Sequence, residues 1–422
     1  MATPPLKSME RLYKKIILSV VVIFATVTLF GCAIVDITPD QGAGDSTGGS
    51  GGRINGLAAA KDGQTMYAAS EWGGLFKSSD AGLEWSHIPS HVPVATWDIE
   101  VDPSNPNKVY ATSFYDGKVQ SLSGISVSND AGGSWDNPPT SRPPEDSCDT
   151  TFSGEWREDQ FGAMGISINP DNTQEVYIGT FCGLAISKNA GLTWEFVDPI
   201  VGDPNHKATS IWDVVVHDGG IVDVCGDDGH FRRLPNSEVW TTATSAAQDL
   251  PSGKCSIAVS PHEPNVLFAV VGTKIHESYD GGQTWPNQLE NPGPQGRVPF
   301  IETNDRGGAS YDLWFGDTKL HSRPCTTPGF WDFFNKTSAT TTSRCGEVSP
   351  STVDWVDQLT GAHSDAGAIL FDQTKSNNAC PVLYSSDGGV YYNTITTSPN
   401  CHTPTWSEPN ITPHALWLFS MS

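Results

Sequence analysis

From residue 53 onward the chain alternates short apolar runs, rich in Val, Ile, Tyr and Phe, with clusters of Gly, Pro, Asn and Asp. "TMYAASEWGGLFK", "EVYIGTFCGLAI" and "VLFAVVGTKIHE" each read as strand, turn, strand. Upstream of them lie "VDPSNPNKVY", "INPDNTQEVY" and "VSPHEPNVLF", where Pro and Asn mark a turn between two strands. A further hairpin recurs after each pair: "SSDAGLEW" at 78–85, "SNDAGGSW" at 128–135, "SKNAGLTW" at 187–194 and "SYDGGQTW" at 278–285.

The recurring offsets have a local logic. Asp80, Asp130 and Asp280, with Asn189 in the third copy, can accept backbone N–H groups of the turn they open, and a hydroxyl such as that of Ser78 adds another bond. Gly82 takes a backbone angle that side chains resist. Trp85, Trp135, Trp194 and Trp285 lay a large apolar face over the hairpin. The unit is strand, Pro/Asn turn, strand, Gly turn, strand, Asp-bearing turn, strand with Trp. Four short strands per repeat fit one blade of a propeller better than any helical repeat. Weaker units fill the gaps, including one with Trp240 in the clip position after a decayed clip, and "SYDLWFGDTKLHSRPC" as two middle strands. The "SSDGG" at 385–389 aligns with a strand turn and not with the Asp-bearing clip. The expectation is an all-β chain with a single β-propeller of about seven four-stranded blades, beginning near residues 53, 93, 160, 207, 253, 295 and 362. "PHALWLFSMS" reads as the inner strand of an eighth unit or as ring closure.

This clip resembles the Asp-box, or bacterial neuraminidase repeat, S-x-D-x-G-x-T-W. The repeat occurs in sialidases, xyloglucan-active glycoside hydrolases, sortilin-type receptors and a photosystem assembly factor. The resemblance implies a propeller and, through the enzymes of the group, action on extracellular polysaccharide. Those families share the clip and differ in chemistry, so function has to come from sites. A sialidase announces an arginine in an F/Y-R-I-P motif before the first Asp-box. Here that place holds "GGRINGLA", where Arg53 lacks the Pro, and "FRRLP" at 231–235 lies in a hairpin of blade four. The xyloglucan-active enzymes usually have two propellers embracing a cleft, whereas this chain has room for one.

The N-terminus and the cysteines set the compartment. Lys14 and Lys15 precede an uncharged apolar run at 16–35, long enough to span a bilayer. Its "LFGC" resembles the bacterial lipobox, which implies lipidation of Cys32; the competing reading is an uncleaved signal anchor with the lysines held inside. Either places the rest outside the cytoplasm, at the cell surface or in the periplasm, tethered to a membrane. Residues 1–35 are thus the targeting segment, 36–52 a Gly/Ser-rich linker and 53–422 the propeller. Apart from Cys32 there are eight cysteines, an even number that suggests disulfides, with Cys325–Cys345 and Cys380–Cys401 the local pairs to test first. A net charge of −24 excludes an electrostatic grip on nucleic acid.

Candidate chemistry gathers at the heads of the inner strands, which line a propeller's axis. "ATWDIEVDP" and "SIWDVVVHD" repeat a Trp-Asp pair, Trp97 with Asp98 and Trp212 with Asp213; the last blade offers His363 and Asp365, and blade six Arg306 beside Asp305. Paired carboxylates are what glycoside hydrolysis needs, so Asp98, Asp213 and Asp365 are the catalytic candidates. Trp97, Trp212, His363, Arg306 and, in a long loop, Trp156 are the substrate-binding candidates. The bland alternative is that an inner-strand Asp bonds backbone N–H groups near the axis. No cofactor and no metal site is expected, calcium at the acidic axis being the conceivable exception. The partner is an extracellular glycan or protein, in a hydrolase or in a propeller that only binds.

Overall fold

The computed structural model describes residues 53–114, 122–143, 148, 161–200, 206–217, 219–243, 249–272, 274–289, 299–326, 345, 356–398, 400–410 and 412–413. Cys32, the apolar run at 16–35, Trp156 and "HALWLFSMS" at 414–422 lie outside them. Among the described residues no helix is long and apolar enough to cross a membrane.

Seven antiparallel sheets follow one another along the chain, six of four strands and one of three. In blade 2 the fourth strand is reduced to a bridge between Val127 and Asp136. The seven inner strands are Ile54–Ala59, Thr96–Val101, Ala163–Ile168, Ile211–Val216, Cys255–Val259, Phe300–Gly307 and Ala366–Phe371. Each begins within a few residues of the expected blade start. The 385–389 stretch is the turn between the second and third strands of blade 7, as its alignment suggested.

Second strands are buried on both faces because each blade packs between two others, which is why their apolar runs barely alternate. One core layer joins Tyr67, Ala69 and Leu75 of blade 1 to Ile99, Val109 and Ala111 of blade 2, and comparable layers recur between other neighbouring blades. The ring closes between the seventh blade and the first. Arg53 Nη2 donates to Ala366 O at 2.9 Å, and Ser385 Oγ donates to Ile54 O at 3.0 Å.

The Asp-bearing hairpins form the expected bonds. Ser78 Oγ donates to Asp80 Oδ1 at 2.7 Å, the Glu84 N–H donates to the same oxygen at 2.9 Å, and Gly82 N–H donates to Ser78 Oγ at 2.9 Å. Gly82 sits at φ 88°, and Trp85 Nε1 donates back to its carbonyl at 2.9 Å. The same Ser–Asp or Ser–Asn bond recurs at Asp130, Asn189 and Asp280.

Alternation of strand direction fixes which turns share a face of the ring. The heads of the inner strands and the turns between second and third strands lie on one face, termed the head face. The Asp-bearing hairpins, between third and fourth strands, lie on the other.

Four disulfides join Cys148 to Cys182, Cys225 to Cys255, Cys325 to Cys345 and Cys380 to Cys401. The two local pairs are those expected from spacing, and four bridges are the signature of an exported chain. Cys225–Cys255 ties the second strand of blade 4 to the inner strand of blade 5.

Candidate functional site: an acidic channel

The inner strands enclose a cavity of about 410 Å³ whose lining includes Trp97, Asp98, Glu100, Asp213, Phe300 and Glu302. Asp98 and Glu100 both come from the blade 2 inner strand, where a register shift between Thr96 and Ile99 turns Trp97 and Asp98 alike to the cavity. Glu302 comes from blade 6 and Asp213 from blade 4.

The two aspartates are built alike. Asp98 Oδ1 accepts the N–H of Ile99 at 2.8 Å and its Oδ2 the N–H of Ile166, in the next blade, at 2.9 Å. Asp213 Oδ1 accepts Val214 N–H at 2.8 Å, while its Oδ2 accepts Ile257 N–H at 2.9 Å and Ser256 Oγ–H at 2.8 Å, again from the next blade. Each is a staple from one inner strand to the following one. Glycine in the preceding blade makes room for it: a Cβ on Gly56 would stand 2.7 Å from Asp98 Oδ1, and one on Gly165 the same distance from Asp213 Oδ1. Blades 1 and 2 and blades 3 and 4 thus repeat one Gly-then-Trp-Asp device.

The two glutamates staple no strands together. Glu100 accepts a bond from the backbone N–H of Val101, as Asp98 does from Ile99, but none from the next blade; Glu302 is open to the space inside the channel although protein surrounds it. Burial pushes Asp98 up to about 7 and Asp213 to about 6, against the N–H bonds that lower them. Burial and then the charge of Asp98 push Glu100 up to about 8. Glu302 rises well above the usual carboxylate range, through burial and then the charges of Asp213, Asp98 and Glu100. No lysine or arginine offsets any of the four. Near neutral pH the channel therefore carries protonated and ionised carboxyls together, giving hydroxyl donors beside strong acceptors.

The other expected site residues are dispersed. Trp97 lines the channel, edge-on to Phe114 with ring centroids 5.7 Å apart. Trp212 is only 3% exposed: Phe181 meets its ring edge-on, the Lys254 ammonium lies over it at 5.2 Å, and its Nε1 donates to Asp227 at 2.9 Å. It lines the channel as Trp97 does, but that packing leaves little of it open. Arg306 sits at the tail of its inner strand, 3.1 Å from Asp312, away from the strand heads. His363 and Asp365 precede the blade 7 inner strand, His363 bonded to Ser364 O at 2.8 Å and Asp365 held at φ 65° with its N–H on Thr318 O at 2.9 Å; neither lines the channel. The structure brings Asp98 and Asp213 together, adds Glu100 and Glu302, and leaves Asp365, His363 and Arg306 apart. The missed glutamates had a legible signal, since each breaks the apolar pattern of an inner strand on its axis-facing register. Among the described residues no group of three or more His, Cys, Asp or Glu is arranged to hold a metal ion.

No protein-family model and no curated protein sequence matches the chain. Among solved structures, an ancestral GH74 enzyme is similar with a TM-score of 0.61 at 16% identity, over 85% of this chain and 46% of that one. YCF48 bound to D1 peptide gives a TM-score of 0.45 at 14% identity, over 80% of this chain and 92% of that one. YCF48 from Cyanidioschyzon merolae gives 0.47 at 10% identity, over 81% and 94%. This chain spans about half the length of the GH74 enzyme. At such identity the likeness to it is one of fold, a β-propeller shared with a glycoside hydrolase.

Proposed function

We propose that the protein is an exported, membrane-tethered propeller of glycoside-hydrolase type that binds an extracellular polysaccharide at its acidic channel. One observation carries the reading: four carboxyl groups converge on one cavity, none of them in an ion pair, and two of them, Glu100 and Glu302, are tied to no neighbouring blade. Sugar hydroxyls are matched by mixed carboxyl donors and acceptors, whereas a phosphate or a sialic carboxylate would be repelled. Asp98 and Asp213 hold the wall of the site, and the two glutamates face the ligand.

Turnover is the second reading. It is favoured by the spread of proton affinities, Asp213 near 6 and Glu100 near 8, because environments that push two carboxyls apart create an acid and a base. The test passes the full chain over immobilised polysaccharides and assays the release of reducing ends. Glu100→Gln and Glu302→Gln are expected to weaken retention, and any turnover is expected to vanish with them. A chain that retains no glycan, or whose retention ignores both substitutions, sinks the proposal. Retention without released reducing ends would assign it to binding alone.

A further inference from the structure

One hydroxyl ties three blades together beside the channel. Ser256 stands second in the blade 5 inner strand Cys255–Val259, buried in the cavity lining. Its Oγ–H donates to Asp213 Oδ2 of blade 4 at 2.8 Å, and the same oxygen accepts the N–H of Ile301 in blade 6 at 3.2 Å. Ile301 is fully buried and immediately precedes Glu302. Ser256 thus does toward blade 6 what Asp98 does toward blade 3 and Asp213 toward blade 5, since each accepts an N–H of the next inner strand.

The other Trp-Asp device lacks this hydroxyl. Ile166 donates its N–H to Asp98 as Ile257 does to Asp213, but Gly165 precedes Ile166 where Ser256 precedes Ile257. Burial raises both aspartates and the N–H bonds lower both, whereas the Ser256 bond lowers Asp213 alone, which stands at about 6 against about 7 for Asp98. The strands that carry the glutamates differ in the same way. The N–H of Ile99, just before Glu100, is held by Asp98 of its own strand, while that of Ile301, just before Glu302, is held by Ser256 from the preceding blade. Asp98, Glu100 and Glu302 share the cavity with Asp213; Arg53 lines it from blade 1 but donates to Ala366 O, and the Lys254 ammonium lies over Trp212.

We propose that Ser256 is a positioning residue of the channel, whose hydroxyl links the charge of Asp213 to the strand that carries Glu302, so that this glutamate is presented to the ligand while Asp213 is ionised. This rests on the reading of the channel as a glycan site. A hydroxyl has one proton and two lone pairs. An ionised Asp213 takes the proton and leaves the lone pairs to Ile301 N–H, which fixes the strand at Glu302. A protonated Asp213 has an O–H of its own to place, and the direction of the Ser256 hydroxyl is no longer set. Retention of glycan is therefore expected to rise as pH passes upward through about 6.

The experiment compares the full chain with Ser256→Ala, Ser256→Val, Ser256→Thr and Glu302→Gln, Val and Thr having one shape and differing in the hydroxyl. Two quantities are read: the NMR titration of the Asp213 carboxyl, assigned with Asp213→Asn, and the pH profile of retention on immobilised cellulose, xylan and dextran. Ser256→Ala and Ser256→Val are expected to raise the Asp213 titration from about 6 toward the value of about 7 at Asp98, and to move the rising limb of retention with it. Retention at neutral pH is expected to weaken about tenfold, the scale of one lost buried hydrogen bond, and Ser256→Thr to restore both readouts. An Asp213 titration unmoved in Ser256→Ala and Ser256→Val overturns the link to Asp213. A loss in Ser256→Thr as deep as in Ser256→Val assigns the effect to shape and overturns the role of the hydroxyl. Retention that matches the parent in Ser256→Val but falls in Glu302→Gln overturns the positioning role and leaves the channel reading standing. A parent held by none of the columns overturns the channel reading and the positioning role with it.

Discussion

Two buried acidic sites stand on neighbouring strands of this propeller and behave in opposite ways. In the channel, four carboxyls line one cavity without an ion pair to any of them, the Arg53 that also lines it donating to Ala366 O instead. In the wall of blade 4, Asp223 is fully buried and accepts Arg232 Nε and Nη2 at 2.9 Å each and His230 Nε2 at 2.7 Å, with His217 Nε2 at 2.6 Å. Burial acts on both sets in the same direction, raising each carboxyl. At Asp223 the bonds from His217, His230 and Arg232 outweigh it and hold the group far below the usual range, while in the channel nothing does. The partner, and not the depth, decides whether a buried acid is a brace or a reactive group. Cys225–Cys255 links the two regions, since Cys225 shares a strand with Asp223 and Cys255 lines the channel.

The largest effect is expected where the contrast is sharpest. Asp223→Ala strands the Arg232 guanidinium in a buried site and should cost about 3–5 kcal/mol in urea unfolding. A loss below 1 kcal/mol would mean that water reaches the cluster. Asp213→Ala removes a staple rather than an ion pair, leaving the N–H groups of Val214 and Ile257 to find other partners, and should cost about 1–3 kcal/mol. Asp80→Ala, in an exposed hairpin where water replaces the lost bonds, should cost only about 1 kcal/mol by the same measurement.

The pH dependence is the subtlest signal, because water in the channel screens it. Asp98, Asp213 and Glu100 bind protons more tightly folded than unfolded, so their contribution to stability is full below their unfolded values near 4 and is lost as pH rises through about 6 to 8. Asp223 has the opposite sign: its contribution is present above about pH 4 and is lost as pH falls below that. Thermal midpoints should therefore fall by a few degrees from pH 5 to pH 8. Glu100→Gln should flatten that fall without altering the loss of stability in acid. A midpoint that rises from pH 5 to pH 8 would contradict the comparison.

Much of the site was only half legible in sequence. Repetition of "TWD" and "IWD" marked Asp98 and Asp213 as axial residues, and they are, yet their oxygens are occupied by N–H groups from the next blade. Which donors they meet depends on how one inner strand abuts the following one, dozens of residues downstream. Glu100 and Glu302 were readable as polar breaks in apolar strands but lacked a repeated motif to draw attention. Trp97 and Trp212 look interchangeable in sequence; half-burial of one and near-complete burial of the other follow from the surfaces that neighbouring blades present.

By itself the sequence determined the blades, because Pro/Asn turns, Gly turns and the Asp-bearing hairpin are local devices whose geometry a few adjacent residues impose. It also pointed to disulfides through an even number of cysteines, with Cys325–Cys345 and Cys380–Cys401 as the local pairs to test first. Tertiary structure alone decided that seven blades close the ring, that Cys148 joins Cys182 and Cys225 joins Cys255, and which acids share a cavity. Each of those depends on contacts between blades, where residues far apart in the chain meet at distances that no local pattern encodes.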